Sequence, residues 1–455
     1  MPAAALSSKS TVLYVAAALA AGRTTSRDLV EAALARIADP GGEGARTFVK
    51  VYGDNARAAA DAQDRLRRAG YVASPLAGLP VSVKDLFDVA GDVTRAGSRI
   101  FDKNAPARVD APAVARLRAA GAILIGRSNM VEFAFGGVGL NPHFGTPKNP
   151  YDRATGRVPG GSTSGGAVAQ ADGMCVMALG SDTRGSIRQP AALCGVTGFK
   201  PTTRRVPREG AFPLSTTLDS IGPLANSVAC CAAYDAILAG EKPDPLLELP
   251  IKGLRLMLPR SGALDDLDAH VTRTFVSTLS RLGKAGAVLT EVKVPGFDRQ
   301  GEYFKNGGFA GAEAYHIHKP NLGRAAEYDP RVAKRVMMGW EMSAEDYLTL
   351  GELRAEFIRE VEALAAPYDA IIMPTVPCIA PTIAETQASD EDYFRWNARI
   401  MRNTGLINFL DGCAVTLPCH AKGTAPVGLM VCGTAMSDRR TLAVAAAVEQ
   451  ALTRD

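Results

Sequence analysis

The run Met174-Cys-Val-Met-Ala-Leu-Gly180-Ser-Asp182-Thr-Arg-Gly-Ser186-Ile-Arg188-Gln-Pro190 decides how the chain is read. Its first part is apolar without a break, the pattern of a strand buried on both faces. Ser181 to Gly185 read as a loop, and a helix is expected to start near Ser186. A strand, a sharp turn and a helix in that order expose a side chain at the corner. The same alternation recurs along the chain. Thr25, with Asp28 three residues on, signals a helix that carries Leu29, Ala33, Leu34 and Ile37 at helical spacing. Asp110 opens a helix ended by Gly121, and residues 122–126 follow as a buried strand. Val271, Phe275, Leu279 and Leu282 mark a helix ahead of a strand over 287–294. Ser437 is expected to cap a last helix running to about Leu452. Short apolar strands alternating with helices argue for an α/β fold, a layered sandwich around a sheet.

The chain has 455 residues, 47% of them hydrophobic, enough for a large core. Length alone suggests about three domains. Fifty-one basic and 47 acidic residues form no concentrated basic field, so charge gives no reason to expect nucleic acid. The eight cysteines lie mostly in apolar stretches, with no Cys-x-x-Cys pair and no zinc spacing. They read as reduced core thiols of an intracellular, cytoplasmic protein that needs no metal or other cofactor. The apolar stretch over 13–22 has only Lys9 ahead of it and is followed at once by an amphipathic helix, so it is not read as a leader. No window reaches the ~18 uninterrupted apolar residues of a membrane span. Residues 241–250 read as a surface connection. Residues 300–365 are charged and aromatic (Tyr303, Phe304, Tyr315, Tyr328, Trp340 and Tyr347 among them) and read as a mostly helical, substrate-facing layer over one end of the sheet.

The chemistry gathers in two loops and one strand end. Upstream of the opening run stands Pro159-Gly-Gly-Ser162-Thr-Ser-Gly-Gly-Ala, and earlier still Gly78-Leu-Pro-Val-Ser-Val-Lys84-Asp85. A serine hydroxyl is a weak nucleophile until a base takes its proton. None of the five histidines sits in a pattern that marks a partner for Ser186. Lys84 ends an apolar strand, and burial there would lower its pKa and make it a base. Ser162 is placed to pass the proton between Ser186 and Lys84. Backbone N–H groups of Thr183, Arg184, Gly185 and Ser186 are expected to converge on an oxyanion, a contribution of about 3–4 kcal/mol per donor in related chemistry. Each part has an ordinary use: a strand-end lysine is usually solvated, a Gly/Ser loop is usually a turn, and a serine at a helix start is usually a cap. A phosphate cradle is disfavoured because no Gly-Lys-Ser/Thr follows. The case rests on all three occurring in order.

With these blocks in place the chain resembles the amidase signature family. The resemblance covers most of the chain, is strongest over about 75–230, and extends to Asn129-Met130, Glu132-Phe133, the run 141–150 and Pro426-Val-Gly-Leu-Met430. It implies one α/β/α domain over 1–455 around a large mixed sheet, in place of the length-based count. It implies a Ser–cis-Ser–Lys triad: Ser186 nucleophile, Ser162 cis-bonded relay, Lys84 base. Asp182 and Arg188 match positions that support the nucleophile loop. Thr163 and Ser164 are expected to hydrogen-bond within their loop, Thr163 nearer the site, and Met130 and Arg184 are candidate substrate contacts. Arg184 departs from the family, where this position is usually small, and suggests either an anionic or carbonyl-rich substrate or a brace for the loop.

The resemblance implies acyl transfer from a small amide to water, with aryl amides or carbamates (urethanes) in range and a monomer or homodimer expected. A second reading is the glutaminase-type component of a tRNA-dependent amidotransferase, its A-type chain. Against it, the run from Asn408 to Pro418 carries Asp411-Gly-Cys413 where small apolar residues are expected. A third, a non-catalytic binding protein, fits poorly with an intact triad.

Overall fold

The apolar runs become strands of one eleven-stranded mixed sheet. The computed structural model describes residues 10–453, and Lys9 lies outside them. The strands are β1 Phe48–Val51, β2 Pro80–Lys84, β3 Ile123–Ser128, β4 Met177–Asp182, β5 Thr197–Lys200, β6 Ser220–Ala225, β7 Arg255–Arg260, β8 Val288–Lys293, β9 Ala370–Pro374, β10 Cys413–Pro418 and β11 Gly428–Gly433. Their spatial order is β1-β3-β2-β4-β6-β5-β10-β11-β9-β7-β8. β2 runs parallel to both β3 and β4, whereas β4 and β6 are antiparallel. Helices pack against the sheet in an α/β/α arrangement. Every residue of β2, β3 and β4 is buried, including the polar and charged side chains at their C-terminal ends, whereas no residue of β8, at the sheet edge, is buried.

The expected elements appear with small shifts. Thr25 and Asp28 form a capping box on Ser26–Ala38. The helix expected from Asp110 runs Pro112–Ala119 instead, because the Asp110 carboxylate accepts from the Ala90 N–H. The last helix is Asp438–Thr453, and residues 241–250 are a mostly exposed connection. Residues 300–365 are helical as expected, chiefly Gly308–His318, Pro330–Met338 and Ala344–Ala365. Among the described residues no helix is long and apolar enough to cross a membrane, and all eight cysteines are buried and unpaired.

The opening run differs in one useful way. β4 extends through Ser181 and Asp182, which pair with Ile221 and Ser220 of β6, and the helix starts only at Arg188. Ser186 therefore sits in a tight connection just ahead of the helix. Two glycines let the layers close. A Cβ on Gly180 would stand 3.0 Å from Thr163, and one on Gly185, at φ +119°, would overlap Thr404 Oγ1 at 2.2 Å.

Candidate active site

β2 delivers Lys84 to the C-terminal end of the central strands. The chain beyond it is fixed by Arg127 of β3, which donates to Asp85 Oδ1 at 2.7 Å and to the carbonyls of Asp85 and Phe87. Lys84 is wholly buried, and its Nζ donates to Ser162 Oγ at 2.7 Å and to Ser181 Oγ at 2.9 Å. Burial pushes the lysine down to about 7, against the opposing pull of Asp182 and Asp219. The Gly161–Ser162 peptide is cis, the geometry the resemblance implies. The Thr163 N–H donates to the Ser186 carbonyl at 3.2 Å, tying the two serine loops together. Lys84 and Ser162 have no exposed surface and Ser186 has 6%, so exposure increases from the lysine to Ser186.

The loop that carries Ser186 is organised by one carboxylate. Asp182 Oδ1 accepts from the Gly185 N–H at 2.7 Å, from Arg188 Nη2 at 3.0 Å and from Asn408 Nδ2 at 2.9 Å; Oδ2 accepts from the Ile187 N–H and Arg188 Nε, both at 3.1 Å. Burial raises this carboxyl, but Arg188 beside it, with Lys200 and Asn408, outweighs burial and holds it well below the usual carboxylate range. Asp182 and Arg188 are thus bonded to each other, and the Asp182 carboxylate to the backbone of the Ser186 loop. The Gly185 N–H, expected to face an oxyanion, is instead committed to Asp182, which leaves Thr183, Arg184 and Ser186 as candidate donors.

Other expectations separate here. Thr163 is buried, with its Oγ1 directed at the Ser181 carbonyl at 3.4 Å. Ser164 Oγ has no hydrogen-bond partner, so it is not the loop hydrogen-bonder expected. Met130, a candidate substrate contact, is fully buried, and its side chain packs where a Cβ on Gly97 would lie. Arg184 is half-buried, stacks its guanidinium on Phe304 at 3.6 Å and lines a cavity of about 810 Å³. Residues of the 300–365 layer, among them Phe304, Arg335 and Met338, line the same cavity. A second cavity of about 440 Å³ is lined by Ser181 and Thr183.

Sequence reasoning missed several contributors. Ser181, read as loop, is a second acceptor for Lys84. Thr404 Oγ1 and Gln189 Nε2 both donate to the Arg184 carbonyl, at 2.7 and 2.8 Å. Asn408 holds Asp182 from the helix Asp390–Phe409. Its place at the head of the unusual run from Asn408 to Pro418 was the one available signal. Among the described residues no cluster of three or more His, Cys, Asp or Glu is arranged to hold a metal ion.

A desolvated lysine hydrogen-bonded to one serine, with a second serine on the adjoining loop and backbone donors beside it, is the equipment of a serine-type hydrolase that works without histidine. The chain belongs to the amidase family, whose model matches residues 28–442. It is 36% identical to the 2-amino-5-chloromuconic acid deaminase of Comamonas testosteroni over 403 residues, 87% of this chain and 86% of that protein. It is 32% identical over 473 residues to the A-type chain of glutamyl-tRNA(Gln) amidotransferase from Synechococcus sp. (strain CC9605), covering 95% of this chain and 94% of that one. A solved amidase structure superposes with a TM-score of 0.86 at 33% identity, covering 97% of this chain and 99% of the other. The protein is accordingly a hydrolase of carbon–nitrogen bonds.

Proposed function

We propose that the chain hydrolyses small amides on its own through an acyl–Ser186 intermediate. Ser186 Oγ attacks the amide carbonyl while its proton passes to Ser162 Oγ and from there to Lys84 Nζ. Backbone N–H groups of Thr183, Arg184 and Ser186 hold the oxyanion. The proton returns along the same path to the leaving nitrogen, and the C–N bond breaks. Water, deprotonated by the same relay, then releases the acid and restores Ser186. The observation that carries this reading is the 2.7 Å contact between the buried Lys84 Nζ and Ser162 Oγ. Aromatic side chains on the 810 Å³ cavity favour aryl amides or aryl carbamates over short aliphatic amides. The eight buried free thiols support an intracellular setting.

The test is amine release by the purified chain on an aryl amide, an aliphatic amide, an aryl carbamate and glutamine, with Ser186→Ala as control. Aryl turnover that the substitution abolishes is the expected result. Similarity to the A-type amidotransferase chain over 95% of this one favours a second reading, in which only glutamine is cleaved, or nothing until partner proteins are added.

The pH profile follows from Lys84. Only its neutral form accepts a proton, and its pKa lies at about 7. Below that pH, kcat/KM is expected to fall about tenfold per unit, and above about pH 8 to level off. A profile that is flat from pH 5.5 to 8, in protein that stays folded, would remove Lys84 as the base.

A further inference from the structure

Among the described residues, two arginines on the 810 Å³ cavity have no carboxylate to balance them. Arg184 stacks on Phe304, and Arg335 lies 4.3 Å from the centre of the Phe135 ring. Arg335 is 5% exposed, yet its Nη1 has no hydrogen-bond partner, and neither does Arg184 Nε. The other cations on this wall are answered differently: Lys334 by Asp390, and Arg399 by Asp266 and Asp268. Arg402 donates to the Asp265 carbonyl. The cavity thus carries five basic side chains, Arg184, Lys334, Arg335, Arg399 and Arg402, and one acidic one, Asp266.

A buried guanidinium without an anion, as at Arg335, is costly, and the like charge of half-buried Arg184, whose Nε is enclosed, adds to that cost. Burial lowers Arg184 to about 9, and the charge of Arg335 adds to that. Arg335 is lowered chiefly by burial, with a hydrogen bond to Tyr393 as partial relief. Both guanidinia present donors on which a carboxylate fits in a forked, charge-assisted pair. Apolar side chains, including Phe135, Phe304, Phe394 and Met401, make up much of the remaining wall and suit a flat carbon body. Arg184 lines this cavity and belongs to the same tight connection as Ser186, two residues along the chain.

We propose that this cavity selects carboxylate-bearing amides: the substrate's carboxylate bridges the Arg184 and Arg335 guanidinia, and its flat body directs the amide carbonyl to Ser186. The proposal rests on the amidohydrolase reading above for its catalytic half. Arg184 and Arg335 are binding residues here, and their side chains take no part in bond cleavage.

The experiment compares 4-carbamoylbenzoate with 4-acetylbenzamide, a neutral amide of similar shape, by ammonia release. The wild type is expected to prefer the anion through a lower KM. Arg335→Gln and Arg184→Met are each expected to lower the ratio of the two kcat/KM values by about 10- to 100-fold. Two variants are used because either alone could disturb packing, and folding is followed by circular dichroism. A ratio unchanged in both folded variants overturns the proposal. Binding is read separately by titrating benzoate into Ser186→Ala protein, with and without Arg335→Gln. Binding that needs Arg335, with no amide cleaved by the wild type, keeps the anion site and sinks the amidohydrolase reading. Cleavage of both amides at equal efficiency, with no benzoate binding, does the reverse.

Discussion

With Lys84 replaced by methionine, kcat/KM for any amide the wild type cleaves is expected to fall by about 10⁴-fold or more. A lysine in water at neutral pH is neutral in only roughly one molecule in two thousand. Burial at the end of β2 brings Lys84 to about 7, so near half of it can take up a proton at that pH. That gain of about three orders of magnitude in base is lost with the side chain, and so is the partner of Ser162 Oγ. Methionine has nearly the same length and carries no charge to desolvate, so the buried site should tolerate it and the far-ultraviolet spectrum should be unchanged. Ser186→Ala is expected to show a loss of the same order. The decisive comparison is the double variant. If Lys84 acts only through Ser186, the pair is no slower than the worse of the two singles. Losses that multiply would mean the lysine acts by a separate route and would remove the relay.

Much of this site was legible because its parts are local. The unbroken apolar run of β4 and the serine loop after Pro159 are each contiguous in sequence. The corner itself is instructive. Ser181 and Asp182 look like loop by composition, but ladder pairing with β6 keeps them in the strand. This turns Ser181 toward Lys84 and puts the Asp182 carboxylate under the turn, where it claims the Gly185 N–H. Strand pairing is a relation between distant segments, and no local pattern reports it. The same holds for Thr404, Asn408 and Arg335, which reach the loop or its cavity from helices far along the chain. Their spacing marks helical faces but not which loop each face will meet. Met130 is the opposite case: it adjoins a recognisable motif in sequence, yet its side chain is wholly enclosed, because nearness along the chain says nothing of which way a side chain faces.

Removing Arg188 is expected to cost about 3–5 kcal/mol of folding stability, measured by urea denaturation of Arg188→Met. Arg188 and Asp182 have no exposed surface, and their side chains form a forked pair at 3.0 and 3.1 Å. Arg188 Nη2 also donates to the Thr404 carbonyl and to Asn408 Oδ1, so one guanidinium joins the Ser186 loop to the helix Asp390–Phe409. Methionine fills most of the volume but leaves a carboxylate buried without its counter-charge. Asp182→Asn combined with Arg188→Met removes that stranded charge, so the double variant should be less destabilised than the sum of the singles. The pH dependence gives an independent check. Asp182 is held below its unfolded pKa, so its contribution is full above about pH 4 and is lost as pH falls through the folded value. Arg188→Met should lose less stability than wild type over that acid range. Equal slopes in the two proteins, or a loss below about 1 kcal/mol at pH 7, would mean that the backbone donors of Gly185 and Ile187 suffice to hold the carboxylate and the loop.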